Sequence, residues 1–200
     1  MTKVPITIYA EMTPNPDVMK FVANKLLNMG TPLDFTKTSD SSNSPLASKL
    51  LNFPFVESVF IANNYVSVSK SNAVEWDMVT MELREFIRDY IGEGGVVIKE
   101  LVQRDEAQVT SADVLTETLN IATSETDKKI ISALDEYIRP AVESDGGSID
   151  FKSFEDGKVK VVLRGACSGC PSSTVTLKQG IEGLLKRLVP EVQEVIAEAM

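Results

Sequence analysis

Cys167 and Cys170 are the only cysteines in the 200-residue chain, and their spacing is C-x-x-C. Two thiols at this spacing can close a disulfide, act as a redox dithiol or bind a soft metal as thiolates. The chain contains no histidine, so a mixed cysteine and histidine zinc site cannot form within one chain. Because two thiolates fill half of a four-sulfur site, a closed site requires a second chain, and a two-fold dimer supplies the other two sulfurs by symmetry.

The residues around the cysteine pair predict a strand before it and a helix after it. Residues 158–164 alternate apolar with charged side chains over most of their length, which is typical of a strand with one buried face. Apolar residues recur at nearly helical spacing over 175–189, and Pro171 suits the first turn of a helix, where its missing N–H is not needed. Cys170 is therefore predicted at the helix N-cap, where free N–H groups and the positive end of the helix dipole stabilise a thiolate. Gly165 is expected to let the backbone approach whatever the sulfurs hold.

Residue types and spacing alone leave three kinds of site open. They are a metal or cluster shared between two chains, a redox dithiol, and a pair of buried thiols without chemistry. The strand before the cysteines belongs to a predicted hairpin rather than an obvious βαβ unit, which argues against a thiol–disulfide oxidoreductase. A structural zinc in the four-thiolate site of a dimer uses the same donors as a shared cluster.

The sequence around the cysteines resembles a known family. The run Asp145-Gly146-Gly147-Ser148-Ile149, followed by GKVKVVLRGACSGCPSSTVTLKQGIEGLLKRLVPEV over 157–192, resembles the C-terminal domain of the NifU/Nfu family of iron–sulfur cluster proteins. The resemblance implies a 4Fe–4S cluster bridged between two chains by Cys167 and Cys170 of each, one cluster per homodimer. It also implies a carrier rather than an enzyme, which works with a cluster-assembly scaffold and delivers the cluster to apo iron–sulfur proteins.

A second resemblance lies in the N-terminal half of the chain. It resembles the N-terminal domain attached to many Nfu-type proteins in Thr13-Pro14-Asn15-Pro16, Lys20-Phe21, Ser44-Pro45-Leu46-Ala47, Val59-Phe60-Ile61, Val66-Ser67-Val68-Ser69-Lys70 and Trp76. This half contains neither cysteine nor histidine, so it is not expected to hold a cluster through the usual ligands. The three-cysteine scaffold domain of longer NifU proteins is absent, which argues against cluster assembly by this chain alone.

The predicted fold class is α/β (α+β), with two small two-layer domains joined by a flexible acidic linker. The Nfu-type N-terminal α/β domain is predicted over 1–100 and the NifU-like cluster-binding domain over 126–200. Residues 101–125 are rich in Thr, Ser, Asp, Glu and Gln, which is the composition of a linker.

The predicted elements follow from hydrophobic period and turn residues. In the N-terminal half they are strands at 4–11, 33–38, 56–62, 65–70 and 96–98 and helices at about 16–29, 45–51 and 75–90. Ser44 is expected to cap the helix at 45–51, and Asn63-Asn64 to join the strands at 56–62 and 65–70 as a hairpin. In the C-terminal half they are a helix at 126–142 that Pro140 should kink or end, a turn at 145–147, a hairpin with its turn at 155–157, the helix after the cysteines and a short strand beyond Pro190. The motif at 13–16 is interpreted as a turn that opens a helix. The core is expected to include Met12, Met19, Met29, Met78 and Met81.

Charge and composition narrow the class of partner and the compartment. The formal net charge is −9 and no segment forms a basic stripe, so nucleic acid is not an expected partner. No apolar run is long enough to span a membrane. Residues 1–16 lack the apolar region and cleavage site of a secretory signal and are too acidic and arginine-poor for a transit peptide. Together with the use of two cysteines as ligands, these features predict a cytoplasmic location.

Overall fold

The computed structural model of the chain describes residues 5–99, 124–167 and 171–199, with the backbone alone at 171–176 and 199. The chain divides into two compact units. The first comprises Met1–Glu100 with two short stretches, Asp145–Gly147 and Arg164–Ala166, and the second comprises Leu101–Ser144, Ser148–Leu163 and Cys167–Met200. Helices and strands are mixed along the chain, so the predicted α+β class is confirmed. The predicted linker at 101–125 lies outside the described residues except for its last two.

The first unit contains a five-stranded sheet in the order β1-β2-β5-β4-β3. The strands are β1 (Ile8–Met12), β2 (Val18–Ala23), β3 (Leu33–Thr36), β4 (Val56–Ala62) and β5 (Tyr65–Lys70). All four pairings in it are antiparallel. The predicted hairpin of β4 and β5 is confirmed, and its turn residue Asn63 has a φ of 42°, a conformation that asparagine tolerates better than most residues.

Two helices cover one face of this sheet, α1 (Pro45–Leu51) and α2 (Trp76–Gly92). Ser44 caps α1 as predicted, since its Oγ accepts the N–H of Ala47 at 3.2 Å. The helices and the sheet share one core whose largest fully buried members are Phe21, Leu46, Leu50, Ile61, Leu83 and Ile87. The predicted helices at 45–51 and 75–90 are therefore both confirmed.

The predicted helix at 16–29 is wrong, because this segment contains strand β2. Met19, Phe21 and Ala23 join the core beneath the helices, whereas Val22 packs in a separate cluster with Phe60. A strand buried on both faces carries apolar residues at nearly every position. Its apolar residues at intervals of three and four then imitate the stripe of an amphipathic helix.

Four of the five methionines predicted in the core are on the surface. Met19 is 6% exposed, because it lies on the core face of β2. Met12, Met29, Met78 and Met81 are between 56% and 91% exposed. The strand predicted at 96–98 is also absent: these residues make no strand, and the next N–H, of Lys99, donates to the carbonyl of Asn43 at 2.7 Å.

The described residues of 124–199 contain helices and a three-stranded sheet of order β6-β7-β8. In chain order the elements are α3 (Glu125–Ala133), a π-helical turn (Leu134–Ile138), α4 (Arg139–Ser144), β6 (Gly147–Glu155), β7 (Lys158–Gly165), α5 (Pro171–Leu188) and β8 (Glu194–Ala199). The core of the second unit includes Ile130, Leu134, Ile149, Val161, Leu163, Ile181, Leu185 and Val195.

The strand before the cysteines belongs to two motifs at once. β7 follows β6 across the predicted turn at Asp156, where φ is 49°. β7 also pairs in parallel with β8, from Lys158 with Glu194 to Leu163 with Ala199. Because α5 is the crossover between them, β7–α5–β8 is a βαβ unit. The sequence argument that the site lacks such a unit is therefore wrong.

Pro140 does not end the helix that contains it. The backbone N–H of Arg139 bonds to the carbonyl of Leu134, five residues earlier, and α4 then continues to Ser144. A proline inside an α-helix clashes with the carbonyl four residues before it. The π-helical turn shifts the hydrogen bonding by one residue ahead of the proline, which relieves this clash locally.

The start of α3 generates a stability prediction. Ser124 Oγ accepts the N–H of Asp127, and the Asp127 carboxylate accepts the N–H of Ser124, both at 3.0 Å. We expect Ser124→Ala to lower the free energy of unfolding of the full chain by about 1 kcal/mol, measured by urea denaturation, because it removes this cap. Ser124→Asn keeps a capping side chain and should stay near the native value. Equal losses in the two variants would contradict the assignment.

Candidate metal centre

Cys167 lies in the turn that follows β7 and is 6% exposed. It belongs to the core of the second unit, in one cluster with Ile149, Leu163 and Ile181. Cys170 lies outside the described residues, as do Ser168 and Gly169, and α5 begins at the next residue, Pro171. The predicted order of strand, cysteine loop and helix is confirmed, and the position of Cys170 at the helix N-cap remains a prediction.

Two glycines shape the backbone that leads to Cys167. Gly146 has a φ of 82° and Gly165 a φ of 67°, backbone conformations that residues other than glycine rarely adopt. The N–H of Ala166 donates to the carbonyl of Gly146 at 3.3 Å. A Cβ on Gly165 would lie 2.8 Å from that same carbonyl oxygen and 2.9 Å from the ring of Phe60. The expectation that Gly165 lets the backbone approach whatever the sulfurs hold stays a prediction.

Three side chains of the first unit donate hydrogen bonds to carbonyls of these same two stretches. Ser67 Oγ donates to Gly146 O at 2.8 Å, and the hydroxyl of Tyr65 donates to Gly147 O at 3.0 Å. Asn15 Nδ2 donates to Ala166 O at 3.1 Å.

Sequence reasoning missed these three roles. Asn15 is interpreted from the sequence as part of a turn, and Tyr65 and Ser67 only as strand residues. The one available signal is that Tyr65, Ser67 and Ser69 alternate with apolar residues in a strand whose opposite face is fully buried.

Asp34 is the one carboxyl near this backbone whose pKa is shifted upward. Its burial raises the pKa above the ordinary value of 3.8, against the N–H groups of Gly165 and Phe35 and the charge of Arg164, which lower it. Because both N–H groups point at the carboxylate, the ionised form is hydrogen-bonded although it is poorly hydrated.

The donor set of one chain fits half of a four-thiolate site. Within residues 5–99, 124–167 and 171–199, no three Cys, His, Asp or Glu side chains converge to hold a metal ion. Cys167 is one soft donor at the end of β7, and Cys170 is the other cysteine of the chain. Thiolates are the ligands of iron–sulfur clusters and of structural zinc, and both need four. In the same described ranges, the helices are too short or too polar to cross a membrane.

Comparison with known families identifies both halves of the chain. Residues 8–94 match "Scaffold protein Nfu/NifU N terminal", and residues 130–196 match "NifU-like domain". The chain belongs to the NifU/Nfu family. The resemblance inferred from the sequence is thus confirmed over both halves of this NifU/Nfu protein.

Two relatives and one solved structure are similar to this chain. The "NFU1 iron-sulfur cluster scaffold homolog, mitochondrial" of Drosophila willistoni is 35% identical over 196 residues, which cover 98% of this chain and 64% of that protein. The protein of the same name in Drosophila persimilis is 35% identical over 189 residues, or 94% of this chain and 64% of that protein. The chain therefore spans less than two thirds of the length of these curated relatives. A solution structure of a NifU-like protein from Saccharomyces cerevisiae is 25% identical, with a TM-score of 0.45, and covers 50% of this chain and 91% of that one.

The comparisons confirm one prediction and overturn another. The NifU/Nfu family consists of scaffold proteins rather than enzymes, so the predicted non-enzymatic role is confirmed. The predicted cytoplasmic location is wrong, because the relatives are named as mitochondrial proteins. The argument failed because cysteines kept as ligands indicate a reducing environment without distinguishing one compartment from another.

The environment of Asp34 predicts a pH dependence of stability. A raised pKa means that the folded state binds this proton more tightly than the unfolded state, so the residue's contribution to stability falls as pH rises from 3.8 through the raised value. In urea unfolding over a range of about pH 3.5 to 7, Asp34→Asn should therefore gain stability relative to the native chain as pH rises, and then level off.

Asp40 provides the control for this measurement. Hydrogen bonds from Ser42 lower the pKa of Asp40, so its contribution is present above the ordinary value and is lost as pH falls. Asp40→Asn should therefore lose stability relative to the native chain as pH rises through the same range. A difference for Asp34→Asn that does not change with pH would contradict the assignment.

Proposed function

We propose that this NifU/Nfu protein is an iron–sulfur cluster carrier that holds a 4Fe–4S cluster between two chains and delivers it to apo iron–sulfur proteins. The observation that supports the proposal is that both cysteines of the chain lie, in sequence, between β7 and α5, inside the stretch that matches the NifU-like domain. Cys167 and Cys170 of each of two chains supply the four thiolates. The donor set of one chain is half of what the cluster requires.

The charge of such a complex suits the fold around the cysteines. Four thiolates on a doubly positive 4Fe–4S core leave a net charge of about −2. Helix α5 begins at Pro171, directly after Cys170, and spans 18 residues. The positive dipole end and free N–H groups of one such helix per chain stabilise negative charge beside the loop.

The incomplete donor set explains why the cluster is cargo. Each chain holds its side of the cluster by two iron–thiolate bonds, and thiolates of an acceptor can replace them one at a time. Every exchange breaks one iron–sulfur(Cys) bond and forms another, the departing thiolate takes up the proton that the incoming thiol released, and no electron moves. A site that enclosed the cluster with four thiolates of one chain would have to be opened before the same exchange.

The remaining predictions complete the proposal. The protein is a homodimer when loaded, receives its cluster from an assembly scaffold and works in mitochondria, in line with the names of its relatives. Its domains are the Nfu-type region at 1–100, the linker at 101–125 and the NifU-like region at 126–200. Helix α3 begins at Glu125, which is the last residue of that linker. Nucleic acid and membranes are not among the proposed partners.

One observation favours a second candidate, a thiol–disulfide oxidoreductase. The C-x-x-C motif directly precedes, in sequence, the crossover helix of the parallel unit β7–α5–β8. A C-x-x-C motif at that point of a βαβ unit is also the arrangement of thioredoxin-like redox proteins.

A structural zinc is a third candidate. The same four thiolates of a dimer would hold a structural zinc equally well.

Anaerobic reconstitution with iron and sulfide tests the carrier. We expect about two iron and two acid-labile sulfide ions per chain, on a particle with the mass of a dimer. Cys170→Ala should lose the cluster because two alanine-substituted chains retain half of the thiolates, and Cys167→Ala should do the same. Circular dichroism of each variant checks that the fold is retained.

The outcomes separate the candidates. A Cys170→Ala chain that holds a full cluster would contradict the proposed ligands. A monomer that takes up no iron and turns over as a disulfide reductase would replace the carrier with the oxidoreductase. One zinc ion per two chains, with iron refused, would replace it with a structural zinc site.

A further inference from the structure

The sheet of the first unit is buried on both faces, but its two helices pack on one. Both α1 and α2 contribute to the core that contains Phe21 and Val66. The opposite face, here called the second sheet face, consists of Val22, Phe60, Ala62, Tyr65 and Ser67. Phe60 and Tyr65 are 2% and 3% exposed. Within the first unit, the short stretches 145–147 and 164–166 lie against this face.

Polar side chains on or beside the second sheet face bind the main chain of both stretches. Ser67 and Tyr65 donate to the consecutive carbonyls of Gly146 and Gly147, and both hydrogen bonds are buried. Asn15 donates to the carbonyl of Ala166, also in a buried bond. A buried carbonyl that loses a hydrogen-bond donor is less well satisfied, which costs free energy even at Gly146, whose carbonyl also accepts the N–H of Ala166. These bonds therefore favour one position of the backbone.

The motif around Asn15 is built to make this bond. Asn15 Oδ1 accepts the N–H of Asp17 at 3.1 Å, which fixes the side chain and aims its amide nitrogen away from its own turn. Thr13 Oγ1 lies within 3.0 Å of the carbonyls of Asn15 and Val18 and holds the same turn. The family motif at 13–16 thus presents one side-chain donor to the residue before Cys167.

Shape supports the same match between the face and the stretches. A Cβ on Gly146 would lie 2.8 Å from Ser67 Oγ, and one on Gly165 would lie 2.9 Å from the ring of Phe60. Such distances are closer than a Cβ normally approaches another heavy atom, and both residues have a positive φ, so glycine is strongly favoured where the backbone lies on this face.

We propose that the second sheet face, through Asn15, Ser67 and Tyr65, is a positioning surface that holds the backbone before Cys167 and thereby slows release of the cluster. The inference rests on the proposed function only in naming the cluster as what is released. Ala166 precedes Cys167 in the chain, and a fixed carbonyl at 166 fixes the plane of the peptide bond that joins the two residues, and with it the position of the Cys167 Cα. The three side chains are positioning residues, because they touch the loop's backbone rather than the thiolate.

The first experiment measures the thiol without any cluster. In full-length apo protein carrying Cys170→Ala, the rate at which iodoacetamide alkylates Cys167 reports how often this thiol leaves its buried position. We expect Asn15→Ala and Ser67→Ala each to raise this rate about five- to tenfold, the effect of losing one buried hydrogen bond. Rates unchanged in both variants would overturn the proposal, whatever the protein binds.

Two controls separate positioning from general loss of stability. Ser69→Ala changes the serine two residues further along the same strand, on the same face as Ser67. It should leave the alkylation rate within about twofold of that of the parent protein. Ser44→Ala removes the cap of α1 and a 2.7 Å bond to the carbonyl of Val97, so it destabilises the first unit away from these stretches. If Ser44→Ala raised the rate as much as Ser67→Ala does, the effect would be one of stability and the proposal would fail.

The second experiment uses the reconstituted protein with both cysteines. We expect Asn15→Ala and Ser67→Ala to bind the native amount of iron and sulfide, but to lose the cluster to a ferrous chelator about five- to tenfold faster. If the two variants released the cluster at the native rate although their Cys167 was alkylated faster, the proposed link between the positioning surface and cluster release would be overturned. A native chain that binds no cluster would overturn the proposed function and leave the alkylation result to decide the positioning surface by itself.

Discussion

The close approach of Gly146 and Gly165 is the constraint around which the cysteine loop is built. The carbonyl of Gly146 accepts the N–H of Ala166, and no side chain fits at either glycine without meeting that carbonyl, Ser67 or Phe60. Both glycines have a positive φ: Gly146 lies just before β6 begins, and Gly165 is the last residue of β7. The backbone that leads to Cys167 therefore follows a course that packing within the protein fixes.

A second constraint is chemical, and it acts on the number of donors. One chain offers two thiolates and no histidine, so every four-coordinate thiolate site must draw on another molecule. In the proposed carrier, this shortage is what lets the cluster be handed on. Bonds contributed by two partners can be replaced partner by partner, whereas a complete cage would have to unfold locally. The buried side chain of Cys167 agrees with a loop that is held by the fold before anything is bound.

Local signals predicted the local features of this fold. Ser44 before Pro45 marked the start of α1, the Asn63 turn marked a hairpin, and Pro171 marked the start of α5. The errors share a cause, which is that the deciding partner is distant in sequence. Burial of β2 on two faces imitated a helix, and the parallel pairing of β7 with β8 left no signal near the cysteines. The bond from Asn15 to Ala166 spans most of the chain, so no window of sequence contains both residues. The two proposed ligands of the candidate site could be named from the sequence because their chemistry depends on residue type and spacing alone.

The parallel pairing of β7 with β8 sets the order in which this region can be completed during synthesis. β8 (Glu194–Ala199) is made well after the cysteine loop, and its pairing with β7 closes a long loop. Until those residues leave the ribosome, β7 presents an unpaired edge with Val159, Val161 and Leu163, all of which are fully buried in the finished fold. An apolar strand edge of this kind is prone to associate with other chains. Until β8 has been made, the nascent protein therefore exposes an unpaired strand edge next to the residues that lead to Cys167, and association with other chains competes with folding at this stage.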